Sequence, residues 1–181
     1  MLPGKAWAPA LAALCAAVLI ARELLAGRQH NELILEGSTL ACFAAFAGLA
    51  LASPSASLVG YVVACAQLFQ ALVIGAFMAR RLPFTMPIVQ RVAPADMAGE
   101  RYFFRFNMGL STVWLTSFLV SGVLLVIMVG GGLHAAFGQV IVALASVAIP
   151  YVLQRGMLRE LYTSKAPSAS PPALNIEHVH V

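Results

Sequence analysis

Long apolar runs separated by short polar interruptions make up most of the chain, and the lengths of both are informative. A helix needs about 20 mostly apolar residues to cross a hydrocarbon core of about 30 Å at about 1.5 Å per residue. Five runs meet that requirement, at 6–26, 33–52, 58–79, 108–129 and 133–153. They are too long and too rich in Ala and Leu for strands. Pro9 falls in the opening turn of the first run, where a missing amide N–H is tolerated. Arg22 and Glu23 close that run's uninterrupted apolar part and are expected at the interface, with Arg22 snorkelling. The second run stops at Ser53-Pro54-Ser55, the third at Arg80-Arg81 and the fourth at Gly130-Gly131-Gly132; Pro150 lies near the end of the fifth. The pattern predicts an all-α, five-span membrane domain over residues 1–162, with a long polar connection at 80–107. Residues 163–181, with Pro167, Ser168, Ser170, Pro171 and Pro172, are expected to form a disordered tail.

Composition excludes the soluble alternatives. Of 181 residues, 61% are hydrophobic and 10% charged, whereas a soluble domain carries about 25% charged residues. The first run has only Lys5 ahead of it and is long for a signal-peptide core. Leu14, which precedes Cys15, is not the small residue a lipoprotein site requires, so the run is read as an anchor.

Charge placement orients the spans. With five crossings, one side receives Arg22, Arg28, Arg80, Arg81, Arg91, Arg101, Arg105, Arg155, Arg159 and Lys165, and the other receives Lys5. The positive-inside rule then puts the N-terminus outside and the C-terminus in the cytoplasm, as expected for a multi-pass protein of a bacterial inner membrane.

Chemistry inside the spans is uncharged. No Asp, Glu, Lys or Arg is expected deep in a run, which disfavours proton relays and ion-coupled carriers. Cys15, Cys42 and Cys65 read as small packing residues, and none forms a C-x-x-C pair. His30, His134, His178 and His180 all lie outside or at the ends of the spans, so neither a metal, a haem nor any other cofactor is implied. Two amides, Gln67 and Gln70, stand one turn apart on the third span. Asn107, Ser111, Trp114, Phe118 and Ser121 recur at helical spacing on the fourth, flanked by Thr112 and Ser117; Gln139 and Ser146 share a face of the fifth. Helix packing is the plain reading of such residues, because small and hydroxylated side chains let helices approach. The sharper reading is an intramembrane polar face formed by Gln67, Gln70, Asn107, Ser111 and Trp114 that holds a lipid-like substrate. Ala41-x-x-x-Ala45 and Gly60-x-x-x-Ala64 read as packing surfaces.

The 80–107 connection is the most distinctive stretch, since loops of this length usually carry function or structure of their own. Pro83 and Pro87 prevent the third helix from continuing, and 87–93 predicts a short surface helix with Ile88, Val89 and Val92 toward lipid. Asp96 is a candidate N-cap and Glu100 a first-turn acid for the helix that follows. Five arginines, Arg80, Arg81, Arg91, Arg101 and Arg105, fall within this connection. With Tyr102, Phe103, Phe104 and Phe106 they read plainly as an interfacial anchor. As a candidate site they offer bidentate guanidinium contacts to anionic lipid headgroups or a partner protein. The few acids here match no metal or nucleophile pattern, so an enzyme is disfavoured. Nothing in the charge pattern points to nucleic acid.

Here the sequence resembles a group of small bacterial inner-membrane proteins distantly similar to intracellular septation protein A. Their genes accompany acyl-carrier-dependent, aryl-polyene-type lipid biosynthesis enzymes. The residues that carry the resemblance are Pro87-Ile88-Val89-Gln90-Arg91-Val92-Ala93, then Arg105-Phe106, Trp114, Phe118 and Ser121-Gly122. They span about 35 residues, and Ser121 stands where the group tends to have Asn. The group has no established catalytic activity to carry over. Taken together, the expectation is a non-catalytic accessory or scaffold protein of envelope or lipid-biosynthesis machinery. It would contact membrane lipids, a membrane protein partner or further copies of itself. The alternative is a small carrier or flippase for a lipid-like substrate.

Overall fold

The structure is a computed structural model that describes residues 4–53, 57–90, 101–132 and 136–165. Its helices are α1 (Gly4–Leu25), α2 (Ile34–Ala52), α3 (Val62–Ala79), the short α4 (Met86–Gln90), α5 (Arg101–Gly130) and α6 (Ala136–Lys165). Short 3-10 turns at His30–Glu32 and Ser57–Tyr61 lead into α2 and α3. Among the described residues there is no strand, and five helices are long and apolar enough to cross a membrane. They pack in series: α1 on α2, α2 on α3, α3 on α5, and α5 on α6. Large apolar side chains face outward along this layer, among them Leu11, Leu14, Val120, Ile127, Leu144 and Val152. Such an exterior suits lipid rather than water.

The α3–α5 seam is tightly packed. Ala64 and Ala71 of α3 are buried, as are Phe118, Gly122, Leu125 and Val129 of α5. Gly122 is required by space: a Cβ there would stand 2.7 Å from Leu68 Cδ2 and 3.2 Å from the Leu68 backbone nitrogen. Of the small-residue pairs expected to pack, Ala64 is buried, but Ala41, Ala45 and Gly60 are exposed. Single-helix spacing cannot tell which small residue faces a neighbour, and Ala is common on every face of this chain.

Both long C-terminal helices outrun their apolar cores. The fourth span was expected from 108, yet α5 begins at Arg101, so the basic-aromatic run forms its opening turns. The fifth was expected to end near 153, yet α6 continues through Pro150 to Lys165, into the region expected to be tail. Thirty residues make a helix of about 45 Å, so each projects beyond a hydrocarbon core.

The turn after α3 is tight. Arg81 has φ +57°, Leu82 N–H donates to Phe77 O at 3.0 Å, and Arg81 N–H donates to Met78 O at 2.9 Å. This is a Schellman ending with Arg where Gly is usual, a conformation that disfavours a Cβ by about 1–2 kcal/mol. It reverses the chain and folds Pro83, Phe84 and Thr85 back inside the bundle. Helix α4 follows inward rather than lying on lipid as expected. Val89 is buried with Phe103 and Leu110, against Met157 and Leu158 of α6. The expected caps Asp96 and Glu100 lie outside the described residues, as does Val92.

The seam makes a paired prediction. Gly122→Ala lowers the unfolding free energy in detergent by about 1–3 kcal/mol through overpacking. Gly109→Ala, on the same helix with open space around it, raises it by about 0.5–1 kcal/mol. Denaturant titration of both variants checks the pair.

Candidate functional site

Among the described residues, most hydrogen-bonded polar side chains inside the bundle fall into three groups. The first joins α2 to α3. Gln70 Nε2 donates to Leu35 O at 3.1 Å and to Thr39 Oγ1, and Gln70 Oε1 accepts from Ser38 Oγ at 2.7 Å. The Thr39 hydroxyl hydrogen goes to Leu35 O at 2.7 Å. Both ends of the Gln70 amide are therefore used to dock the start of α2.

The second group sits where α3, α5 and α6 meet, and it originates in Pro150. A proline inside a helix supplies no N–H to the carbonyl four residues earlier, here that of Ser146. Ser117 Oγ of α5 donates to that carbonyl at 2.9 Å, replacing the lost bond. The Ser146 hydroxyl donates to Ala143 O at 2.6 Å and accepts from Gln67 Nε2 at 2.9 Å. Its one hydrogen is thus committed, so the Gln67 atom facing it must be the donor nitrogen. Gln67 Oε1 is left buried with no hydrogen-bond partner among the described residues.

The third group is a latch between the 82–90 segment and α5. Thr85 Oγ1 lies 3.0 Å from Asn107 Oδ1, 3.1 Å from Asn107 O and 3.3 Å from Ser111 Oγ. Asn107 Nδ2 donates back to Phe103 O at 2.9 Å. Beside it, Trp114 Nε1 donates to Gln154 Oε1 of α6 at 3.0 Å, while its ring stacks edge-on to Phe84 and tilted to Phe118.

These groups divide the expected polar face in two. Gln67, Gln70 and Trp114 line one cavity of about 410 Å³, with walls from α1, α2, α3, α5 and α6. Asn107 and Ser111 do not line it; they are fully buried in the latch with Thr85. A smaller hollow of about 280 Å³ between α2 and α3 is lined by Cys42 and Cys65, together with Ala41 and Ala45. Among the described residues, no group of three or more His, Cys, Asp or Glu is placed to hold a metal ion.

At the arginine-bearing end, Arg80, Arg81, Arg101 and Arg105 are all exposed and make no ion pair among the described residues; Arg91 lies outside them. Arg28 is different. Its guanidinium faces Glu23 at 3.1 Å, Glu32 at 3.5 Å and Glu36 at 3.7 Å. Glu32 is buried, and Glu36, in the first turn of α2, reaches the large cavity. A carboxylate therefore stands at a site expected to be uncharged.

Reading spans one at a time missed Glu36, Thr39, Thr85 and Gln154. The spacing Arg28, Glu32, Glu36 was the available signal for the charge cluster, but the turn between α1 and α2 hides it from a single-helix reading. Compared with protein families, curated proteins and solved structures, the chain matches none.

The Pro150 account is testable by a double-mutant cycle. Ser117→Ala destabilises the parent protein by about 1–2 kcal/mol because Ser146 O loses its donor. In a Pro150→Ala background the restored N–H supplies that donor, and Ser117→Ala becomes nearly neutral. Unfolding of the four proteins in one detergent measures the coupling.

Proposed function

We propose that this is a non-catalytic, multi-pass accessory protein of a bacterial inner membrane that holds a lipid-like molecule between its helices, in the service of envelope or lipid-biosynthesis machinery. The observation that carries this reading is the cavity of about 410 Å³, largely apolar, with Glu36, Thr39, Gln67 and Gln70 as the polar residues of its wall. An apolar hollow with a few polar groups is the usual form of a small-molecule site. In a bilayer its natural occupant is an amphiphile. The non-catalytic part of the reading rests on how the buried hydroxyls are used. Ser111, Thr85, Ser117 and Ser146 meet amides, carbonyls and each other rather than a base, an arrangement that gives no activated nucleophile.

The exposed arginines support the same reading. Arg80, Arg81, Arg101 and Arg105 stand at the end where α3 finishes and α5 begins, placed for anionic headgroups or a partner protein. The resemblance to proteins accompanying aryl-polyene-type lipid biosynthesis points to the same compartment. In this reading the arginine-bearing end is cytoplasmic and the N-terminus lies outside.

Two measurements test the proposal. Lipid extracted from protein purified in mild detergent should be retained by the parent chain and reduced several-fold in Ala143→Phe, which fills the cavity. Equal retention overturns the lipid-holding reading. Orientation is checked in a variant whose three cysteines are replaced by Ala. A membrane-impermeant maleimide should label Ser53→Cys in intact cells and Arg80→Cys only after lysis; the reverse pattern overturns the topology.

A further inference from the structure

We infer that Cys42 and Cys65 form a two-sulfur site for a soft, two-coordinate metal ion, with Cu(I) as its ligand. The inference concerns the smaller hollow between α2 and α3 and stands apart from the lipid-holding reading.

Taken on single spans, both cysteines read as small packing residues. The fold brings them together. The hydrogen bond from Ser38 to Gln70 at 2.7 Å sets the register of α2 against the antiparallel α3. Cys42 lies four residues after Ser38, about 6 Å along α2, and Cys65 lies five residues before Gln70, about 7.5 Å along α3. The two cysteines therefore stand within about 1.5 Å of the same level. Both are free thiols, they line the same hollow of about 280 Å³, and Cys65 is within electrostatic reach of Cys42. Cys15 is exposed on α1 and does not line it.

The rest of the wall decides what two sulfurs can hold. It consists of Ala41, Ala45, Phe46 and Phe69, so it offers no nitrogen or oxygen side-chain donor. Among the described residues no third His, Cys, Asp or Glu joins the pair. Zinc in a structural site takes four ligands and iron–sulfur clusters take four cysteines, and hard cations need oxygen. Thiolates select soft ions, Cu(I) foremost among those content with two. Ala41 and Ala45 leave open space beside the sulfurs, while the Phe46 and Phe69 rings offer their faces to a cation. A metal–thiolate bond is about 2.3 Å long, so one ion joins sulfurs about 4.6 Å apart, more than twice the span of a disulfide bond. A hollow between the cysteines suits that longer bridge.

Charge balance agrees. A net charge left in hydrocarbon is costly. One Cu(I) displaces one thiol proton, which leaves for the aqueous phase, and the ion is held between one thiolate and one neutral thiol. The filled site is then neutral, like the empty one.

The test titrates Cu(I), kept reduced with ascorbate, into the intact protein in nanodiscs against the chromophoric chelator bicinchoninate. One equivalent should be retained, and X-ray absorption should show sulfur neighbours with no nitrogen or oxygen. Zn(II) should not be retained. Cys42→Ser and Cys65→Ser should each lower the affinity at least about 100-fold, and the double variant no further, since a linear site needs both sulfurs. Cys65→Met, which returns a soft sulfur, should recover most of the loss, and Cys15→Ser should match the parent. Failure to retain Cu(I), Zn(II) held as tightly as Cu(I), or nitrogen or oxygen neighbours would each overturn the inference on the parent protein alone, whether or not the variants fold. Two weak equivalents, one lost with each cysteine, would overturn it as well by showing separate thiols in place of a shared site.

Discussion

Hydrocarbon offers no hydrogen bonds, so each polar group carried into the bilayer must find its partner within the protein. That constraint organises this bundle. Pro150 breaks one backbone bond in α6, and the released Ser146 carbonyl is met by Ser117 from α5. The Ser146 hydroxyl then anchors Gln67 of α3. A single missing N–H thus joins three helices through two serines and an amide. It also lets α6 run on past a proline to Lys165. Interhelical hydrogen bonds in membranes contribute only about 0.6 kcal/mol each on average. Their larger effect here is on register, because an amide that slips by one turn strands its partners.

The same logic explains the turn after α3. Leaving the helix through Arg81 in a left-handed conformation carries backbone strain, and the return is the burial of Phe84, Thr85 and Val89. Thr85 sits between Asn107 and Ser111 of α5, so the fold-back is hydrogen-bonded as well as packed. Phe84 meets the Trp114 ring, whose N–H reaches Gln154 on α6. The segment therefore ties the ends of α3, α5 and α6 together. Val89 and Trp114 both lie where this segment packs, which gives their identities a packing reason apart from any ligand.

What was legible in the sequence follows from the range of each interaction. Run length is a property of a single segment, and it found the five helices. The i, i+3 relation of Gln67 and Gln70 is likewise local, and it found two side chains of the cavity. Register between helices has no such local signature. Thr85 and Asn107 are 22 residues apart, Trp114 and Gln154 are 40, and Gln67 and Ser146 are 79. Helix ends were misjudged for a related reason. An apolar-run criterion starts the fourth span at 108 and ends the fifth near 153, whereas α5 begins at Arg101 and α6 continues to Lys165. Arg81 illustrates the limit: its position would suggest Gly, and only the folded-back segment shows why Arg is held there.

Buried amides differ in how many of their hydrogen-bonding groups the bundle uses. Asn107 and Gln70 were indistinguishable from Gln67 as intramembrane amides on helical faces. In the folded chain Asn107 donates to Phe103 and accepts from Thr85, and Gln70 uses both ends on α2. Both therefore serve to position helices. Gln67 gives its nitrogen to the bundle and keeps its oxygen. With the Ser146 hydrogen on Ala143 O, the amide nitrogen faces the hydroxyl and the oxygen is left without a donor among the described residues. The unpaired atom is thus a consequence of the network that compensates for Pro150. The interaction that holds α6 in place is also the one that leaves this oxygen without a donor.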